Sequence, residues 1–294
     1  MKAQLLDAAW LRRWPLPNPA PGTDKEARGD VLVVGGSAQI PGAVLLAATA
    51  ALRAGAGRVQ VATARSAALG VALSLPESRV IGLRQVATGE LSSQGVSALG
   101  TELDACETLL LGPGMRDERA ALAVCRLFVA RGCRGQLMLD AAGLNLLGRH
   151  RSIHGLQSPL IATPHAGEMA RLWGCERDDV EAAPAALARE AARELGMVLV
   201  LKGPETFIAS PDGQVLHNVA GNAGLATSGS GDALAGLIAG LAARGAEPLQ
   251  AAAWGVWLHA RAGEVLARKV GPIGYLAREL AAEVPSLMNV RKRR

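Results

Sequence analysis

Short unbroken apolar runs alternate along the chain with longer stretches in which apolar residues recur every three or four positions. Residues 31–36 read VLVVGG, a buried strand closed by glycines, and 42–57 follow as an Ala- and Leu-rich helix ended by Gly55 and Gly57. Residues 58–63 and 108–114 repeat the strand pattern, while 135–147 and 159–173 each run from a strand into a helix. Residues 197–203, MVLVLKG, form a strand that follows a long Ala, Glu and Arg helix. Residues 206–218 predict a hairpin turning at Asp212 and Gly213. Beyond Gly229 the pattern is helical, in three pieces broken near Pro248 and Gly271.

Continuous apolar strands separated by helices imply an α/β fold with a mostly parallel sheet covered on both faces. Ligands of such sheets bind beyond the carboxyl ends of the strands. That edge collects the unusual residues here: Gly35, Gly36 and Ser37, Gly112 to Gly114, Asp140, Thr163 to His165, and Lys202 with Gly203. No linker or repeat interrupts the pattern, so residues 31–290 are expected to form one domain. Residues 1–30, Pro-rich in part, are expected to be an extended lead-in, and 291–294 a basic tail.

Composition removes several functions. Half of the 294 residues are hydrophobic, yet the longest apolar stretches, 43–52 and 233–243, fall far short of a membrane span. Asp7, Arg12 and Arg13 interrupt what would be a signal sequence, so a cytoplasmic protein is expected. The cysteines, Cys106, Cys125, Cys133 and Cys175, show neither disulfide nor metal-ligand spacing. Four of the five net positive charges sit in the last four residues, and aromatic residues are scarce. Nucleic acid is therefore not an expected partner.

The stretch ATSGSGDALAGLIAG, residues 226–240, sets Asp232 at the mouth of an apolar helix. Ser and Asp there could simply cap the helix. The alternative is an anion hole, in which the free N–H groups hold a phosphate. A carboxylate beside a phosphate is repelled unless it acts on a neighbour, and its natural task is to take a proton from an attacking hydroxyl. The two glycines around Ser230 favour that reading. Lys202, one of five lysines among twenty-six arginines, ends a buried strand. It is either a snorkelling end residue or an ammonium reaching a phosphate. His165 and Glu168 sit one turn apart, as a capping pair or as site residues. P-loop, GxGxxG, GxSxG, CxxC and HExxH patterns are absent.

With these residues in view the chain resembles the NAD(P)H-hydrate dehydratases, the carbohydrate-kinase-like domain of the ribokinase-like superfamily. The matching pieces are VVGGS, GA with AALRAGAG, LLLGPGM, LDA with LNLL, TPHAGEMARL, LKGPETFI and LATSGSGDALAGLIAGLAARG, spread over residues 31–267 in the family's order. The resemblance implies a three-layer α/β/α fold. It also implies a reaction in which ADP, or ATP in some members, phosphorylates the hydroxyl of the hydrated nicotinamide ring. Phosphate then leaves and NADH or NADPH is restored.

Carried over by motif, Asp232 is the base on the ring hydroxyl. Lys202, Gly203, Pro204, Glu205, Thr206 and Gly231 hold the nucleotide, and Ala43, Gly114 and His165 line the hydrate site with Asp232. Glu168 matches the acid that helps organise Mg2+ around the phosphates. The resemblance further implies a homo-oligomer, commonly a tetramer, and the residues before Val31 are expected to be too few for the epimerase domain of longer relatives. Two positions depart from the family: Ile40 where an aromatic residue is common, and Ala142 where a second acid is. A small-molecule kinase of the same fold and a silent nucleotide-binding protein remain the alternatives.

Overall fold

A computed structural model describes residues 3–18, 22, 24–148, 153 and 155–289. Ten strands form one sheet: β1 (Gln4–Leu5), β2 (Asp30–Val34), β3 (Arg58–Ala64), β4 (Arg79–Leu83), β5 (Thr108–Leu111), β6 (Gln136–Leu139), β7 (Leu160–Ala162), β8 (Val198–Leu201), β9 (Thr206–Ala209) and β10 (Val215–Asn218). Their spatial order is β1-β10-β9-β8-β7-β6-β5-β2-β3-β4. All pairings are parallel except those of β9 with β8 and β10. The antiparallel hairpin is the one expected at Asp212-Gly213.

Beyond their first residues the central strands are apolar because both faces are covered. Along β2, Val31 and Val33 enter one core layer while Leu32 and Val34 enter the other, and all four are fully buried. One layer is roofed by the Gly42–Arg53, Ser230–Ala243 and Pro248–Lys269 helices, whose apolar residues share it. The first two of these pack backbone to backbone. A Cβ on Gly236 would lie 2.0 Å from the Ala47 carbonyl oxygen, and one on Gly240 would lie 2.4 Å from that of Ala51. This close approach fixes the mouth of the Ser230–Ala243 helix beside the loop that follows β2.

The amino-terminal segment differs from the extended lead-in expected for it. β1 adds a parallel edge strand beside β10, and an Ala8–Arg13 helix buries Trp10 and Leu11. Asp7 caps that helix through the Trp10 N–H at 2.7 Å. The segment is then tied down when Gln250 and Trp254 donate to the carbonyls of Trp14 and Pro15. Of the expected tail, 291–294, all four residues lie outside the described residues. Among the described residues no helix is long and apolar enough to cross a membrane, and the four cysteines are free thiols.

Candidate functional site

The carboxyl ends of β2 and β5 run into two loops that interlock through small residues. The Gly36 N–H donates to the Pro113 carbonyl at 2.7 Å. A Cβ on Gly114 would meet the Ile40 carbonyl at 2.6 Å and the Ala43 Cβ at 2.8 Å. Ala43 and Gly114, remote in sequence, are therefore neighbours and make a floor without bulky side chains.

Beside that floor β6 ends at Asp140, which is 3% exposed. Its Oδ1 accepts from Thr163 Oγ1 at 2.7 Å and from Lys202 Nζ at 3.0 Å. The next residue, Ala141, has φ of 47°, the one positive φ outside glycine among the described residues. Such backbone is costly for an alanine and persists where its surroundings impose it. Here the Asp140 carbonyl accepts from the Gly143 N–H and packs where a Cβ on Gly112 would clash.

Lys202 does not snorkel. Its ammonium turns into the site, bonded to Asp140 and 3.9 Å from Glu168 Oε2. Burial pulls its pKa down, but Asp140, Glu168 and Asp232 together outweigh burial and hold it above the usual lysine value.

His165 and Glu168 form a capping box at the start of the Ala166–Trp173 helix. His165 Nδ1 accepts from the Gly167 and Glu168 N–H groups at 3.0 and 3.3 Å, and Glu168 Oε2 accepts from the His165 N–H at 2.8 Å. Capping is thus one task of both residues. It leaves the His165 ring more than half exposed at the site and the Glu168 carboxylate facing Lys202.

The Ser230–Ala243 helix is not capped by any side chain. Gly229 sets its entry with φ of +85°, and a Cβ there would press on Leu46 at 2.4 Å. The Ser230 N–H donates to Thr227 and the Ala233 N–H to Gly229. Between them, the Gly231 and Asp232 N–H groups make no hydrogen bond to another backbone carbonyl among the described residues, the ordinary condition of a helix start. Asp232 lies in the first turn without capping it, so its carboxylate is available. Burial foremost, with repulsion from Asp140 and partial relief from Lys202, lifts its pKa to about 7. It is poised to exchange a proton near neutrality.

A cavity of about 840 Å³ opens from this mouth, lined by His165, Lys202, Gly203, Pro204, Thr206 and Gly231 among the residues expected from sequence. Ala43, Gly114, Asp232 and Glu205 lie outside that lining. Glu205 points its carboxylate to His217 at 2.6 Å, and the His217 ring stacks on Phe207 with centroids 4.4 Å apart. Glu168 borders a neighbouring cavity of about 520 Å³ together with Arg171 and Asn145. Among the described residues no three His, Cys, Asp or Glu side chains converge as a ready-made metal site.

Sequence reasoning assigned no role to Asp140, Thr163 or His259. Asp140 was visible at the sheet edge, but only contact with Lys202 reveals its partner. His259 carries a weaker signal, one polar residue in the buried run AAAWGVWLHA, and it lines the cavity.

Comparison with known proteins completes the picture. The family described as NAD(P)H-hydrate dehydratase matches residues 31–286. A protein of Xanthomonas campestris pv. campestris named ADP-dependent (S)-NAD(P)H-hydrate dehydratase is 48% identical over 289 residues, covering 98% of this chain and 97% of its own length. A bifunctional NAD(P)H-hydrate repair enzyme of Moorella thermoacetica is 40% identical over 97% of this chain, which spans 54% of that longer protein. The crystal structure of ADP/ATP-dependent NAD(P)H-hydrate dehydratase from Bacillus subtilis, co-crystallised with ATP/Mg2+, matches with a TM-score of 0.83, 29% identity and 98% coverage of both chains. Ribokinase of Arabidopsis thaliana, at 10% identity and a TM-score of 0.54, shares the fold.

Proposed function

Because the chain belongs to the NAD(P)H-hydrate dehydratase family, we propose that it is an ADP-dependent (S)-NAD(P)H-hydrate dehydratase working at the mouth of the Ser230–Ala243 helix. The observation that carries the proposal is the half-buried Asp232, with a pKa near 7, beside the Lys202 ammonium and two helix amides that bond no backbone carbonyl among the described residues.

In this reading Asp232 takes the proton of the hydroxyl on the hydrated ring. The freed oxygen attacks the terminal phosphorus of ADP, the bond from that phosphorus to the bridging oxygen breaks, and AMP departs. The Gly231 and Asp232 N–H groups and Lys202 stabilise the charge gathered on the phosphoryl oxygens. The ring nitrogen then pushes electrons toward the carbon–oxygen bond. That bond breaks with both electrons on phosphate, a far better leaving group than hydroxide, and loss of a ring proton restores NADH or NADPH. The cavity, about 840 Å³ and lined by residues 202–204, Thr206 and Gly231, suits the adenine nucleotide. Ala43, Gly114 and His165 receive the hydrate.

Asp140 and Glu168, the two carboxylates at Lys202, would hold a magnesium ion in the company of nucleotide phosphates. Two acids without a preformed cluster fit a cation that takes most of its ligands from phosphate and water. Bound there, magnesium supplies neutralisation of phosphate charge. The reading includes a cytoplasmic homo-tetramer, which light scattering of the purified protein tests.

Incubation with NADH hydrate and ADP tests the activity: absorbance at the NADH band, about 340 nm, recovers as phosphate is released. Phosphorylated hydrate accumulating with no recovery of absorbance would mean a kinase and would end the proposal.

A further inference from the structure

His259 sits in the middle of the Pro248–Lys269 helix and reaches the first turn of the helix that carries the free amides. Its Nε2 lies 3.1 Å from the Ser230 carbonyl oxygen and 3.0 Å from Ser230 Oγ. With the proton on Nδ1, Nε2 could accept from the Ser230 hydroxyl but would set its lone pair against the carbonyl oxygen. With the proton on Nε2 both contacts are hydrogen bonds, so we assign the neutral ring the Nε2–H tautomer that donates to the Ser230 carbonyl. Burial foremost, with the Lys202 charge acting in the same direction, lowers the His259 pKa to about 4, which keeps this donor unchanged through the neutral range.

The carbonyl of Ser230 and the N–H of Gly231 are two ends of one planar peptide unit. A tilt of the carbonyl swings that N–H away from its target by the same angle. The turn has little stiffness of its own: Gly229 stands at φ of +85° and Gly231 has no side chain to restrain it. A buried imidazole among alanines and tryptophans is an expensive way to fill space, whereas a donor on this carbonyl restrains the plane.

We infer that His259 is a positioning residue for phosphoryl transfer, holding the Ser230 carbonyl so that the Gly231 N–H on the same peptide plane aims at the transferred phosphate. The inference rests on the function proposed above. Its effect falls on the transition state, where the donor must meet developing charge, more than on nucleotide affinity, which many other groups supply.

The test compares His259→Gln, whose Nε2 overlies the imidazole Nε2, with His259→Asn, whose amide is too short to reach. Turnover of NADH hydrate with ADP is read beside ADP binding by calorimetry. Expected are a kcat at least about 10-fold lower for Asn, within about 3-fold of the parent for Gln, and ADP affinity within about 3-fold in both. Ser230→Ala, which removes Oγ and leaves the carbonyl contact, keeps kcat within about 3-fold by the same reasoning. Equal loss in Gln and Asn, full activity in Asn, a loss confined to ADP affinity, or an alanine variant as impaired as Asn overturns the inference. If the parent protein itself fails to turn over the hydrate, the functional proposal fails, and the Gly231 amide resonance decides this one separately. On ADP addition that resonance shifts equally in the parent and in Gln and by a clearly smaller amount in Asn; the same response in all three refutes the positioning role.

Discussion

Replacing Asp232 with asparagine removes a charge that the folded protein holds at a cost. The carboxyl titrates at 3.8 when exposed and near 7 in the folded site, because burial and Asp140 disfavour its anion more than Lys202 favours it. Between those values the folded state binds the proton more tightly than the unfolded chain, so stability falls as pH rises through the window. The full gap corresponds to roughly 4 kcal/mol, and partial solvent access brings the usable part to about 2–4 kcal/mol. Above pH 7 the whole of it weighs against folding; below pH 4 none does. The asparagine variant has no such charge, and Lys202 retains Asp140 and Glu168 as partners. Calorimetric melting without nucleotide is therefore expected to show Asp232→Asn melting at least about 4 °C above the parent at pH 8. At pH 3.5, below the unfolded pKa, the two should nearly coincide. The same variant should lose about 10²-fold or more in kcat while still binding ADP. An equal or lower melting point at pH 8, or a gain of the same size at both pH values, would refute the account of Asp232 as a strained, desolvated base.

Three further outcomes follow from named contacts. Since Asp232 must be unprotonated to accept a proton, kcat should fall as pH drops through about 7, and Asp140→Asn should shift that limb to lower pH by removing the repulsion. Lys202→Met leaves buried Asp140 with Thr163 alone; denaturant unfolding should show a loss of about 3 kcal/mol, and the KM for ADP should rise at least about 10-fold. Gly236→Val forces a Cβ to within 2.0 Å of the Ala47 carbonyl, and thermal melts should report destabilisation of at least about 1–3 kcal/mol as the helices part.

The legible part of this molecule is the part written in neighbouring residues. Unbroken runs such as VLVV and TLLL announce β2 and β5 because strands buried on both faces need no alternation, and the turn at Asp212-Gly213 announces its hairpin. Asp232 was legible too, since a carboxylate between glycines and an apolar helix is conspicuous without coordinates. β1 and β4 were not. The first is two residues long and the second mixes Arg79 and Gly82 into an edge strand, so both are defined by the partner they pair with. Ion pairs and contacts across the site escaped for a related reason. Lys202 meets Asp140 62 positions away, and His259 meets Ser230 29 away.

What the sequence determined alone, then, was the order of elements and the residue types delivered to one edge of the sheet, because helix and strand periodicity act over a few residues. Only the tertiary structure decided that Lys202 is paired inward, that Glu168 faces it, and that Asp232 titrates near neutrality. Desolvation and charge–charge interaction act through space, and those distances come into being when the strands align and bring their ends together.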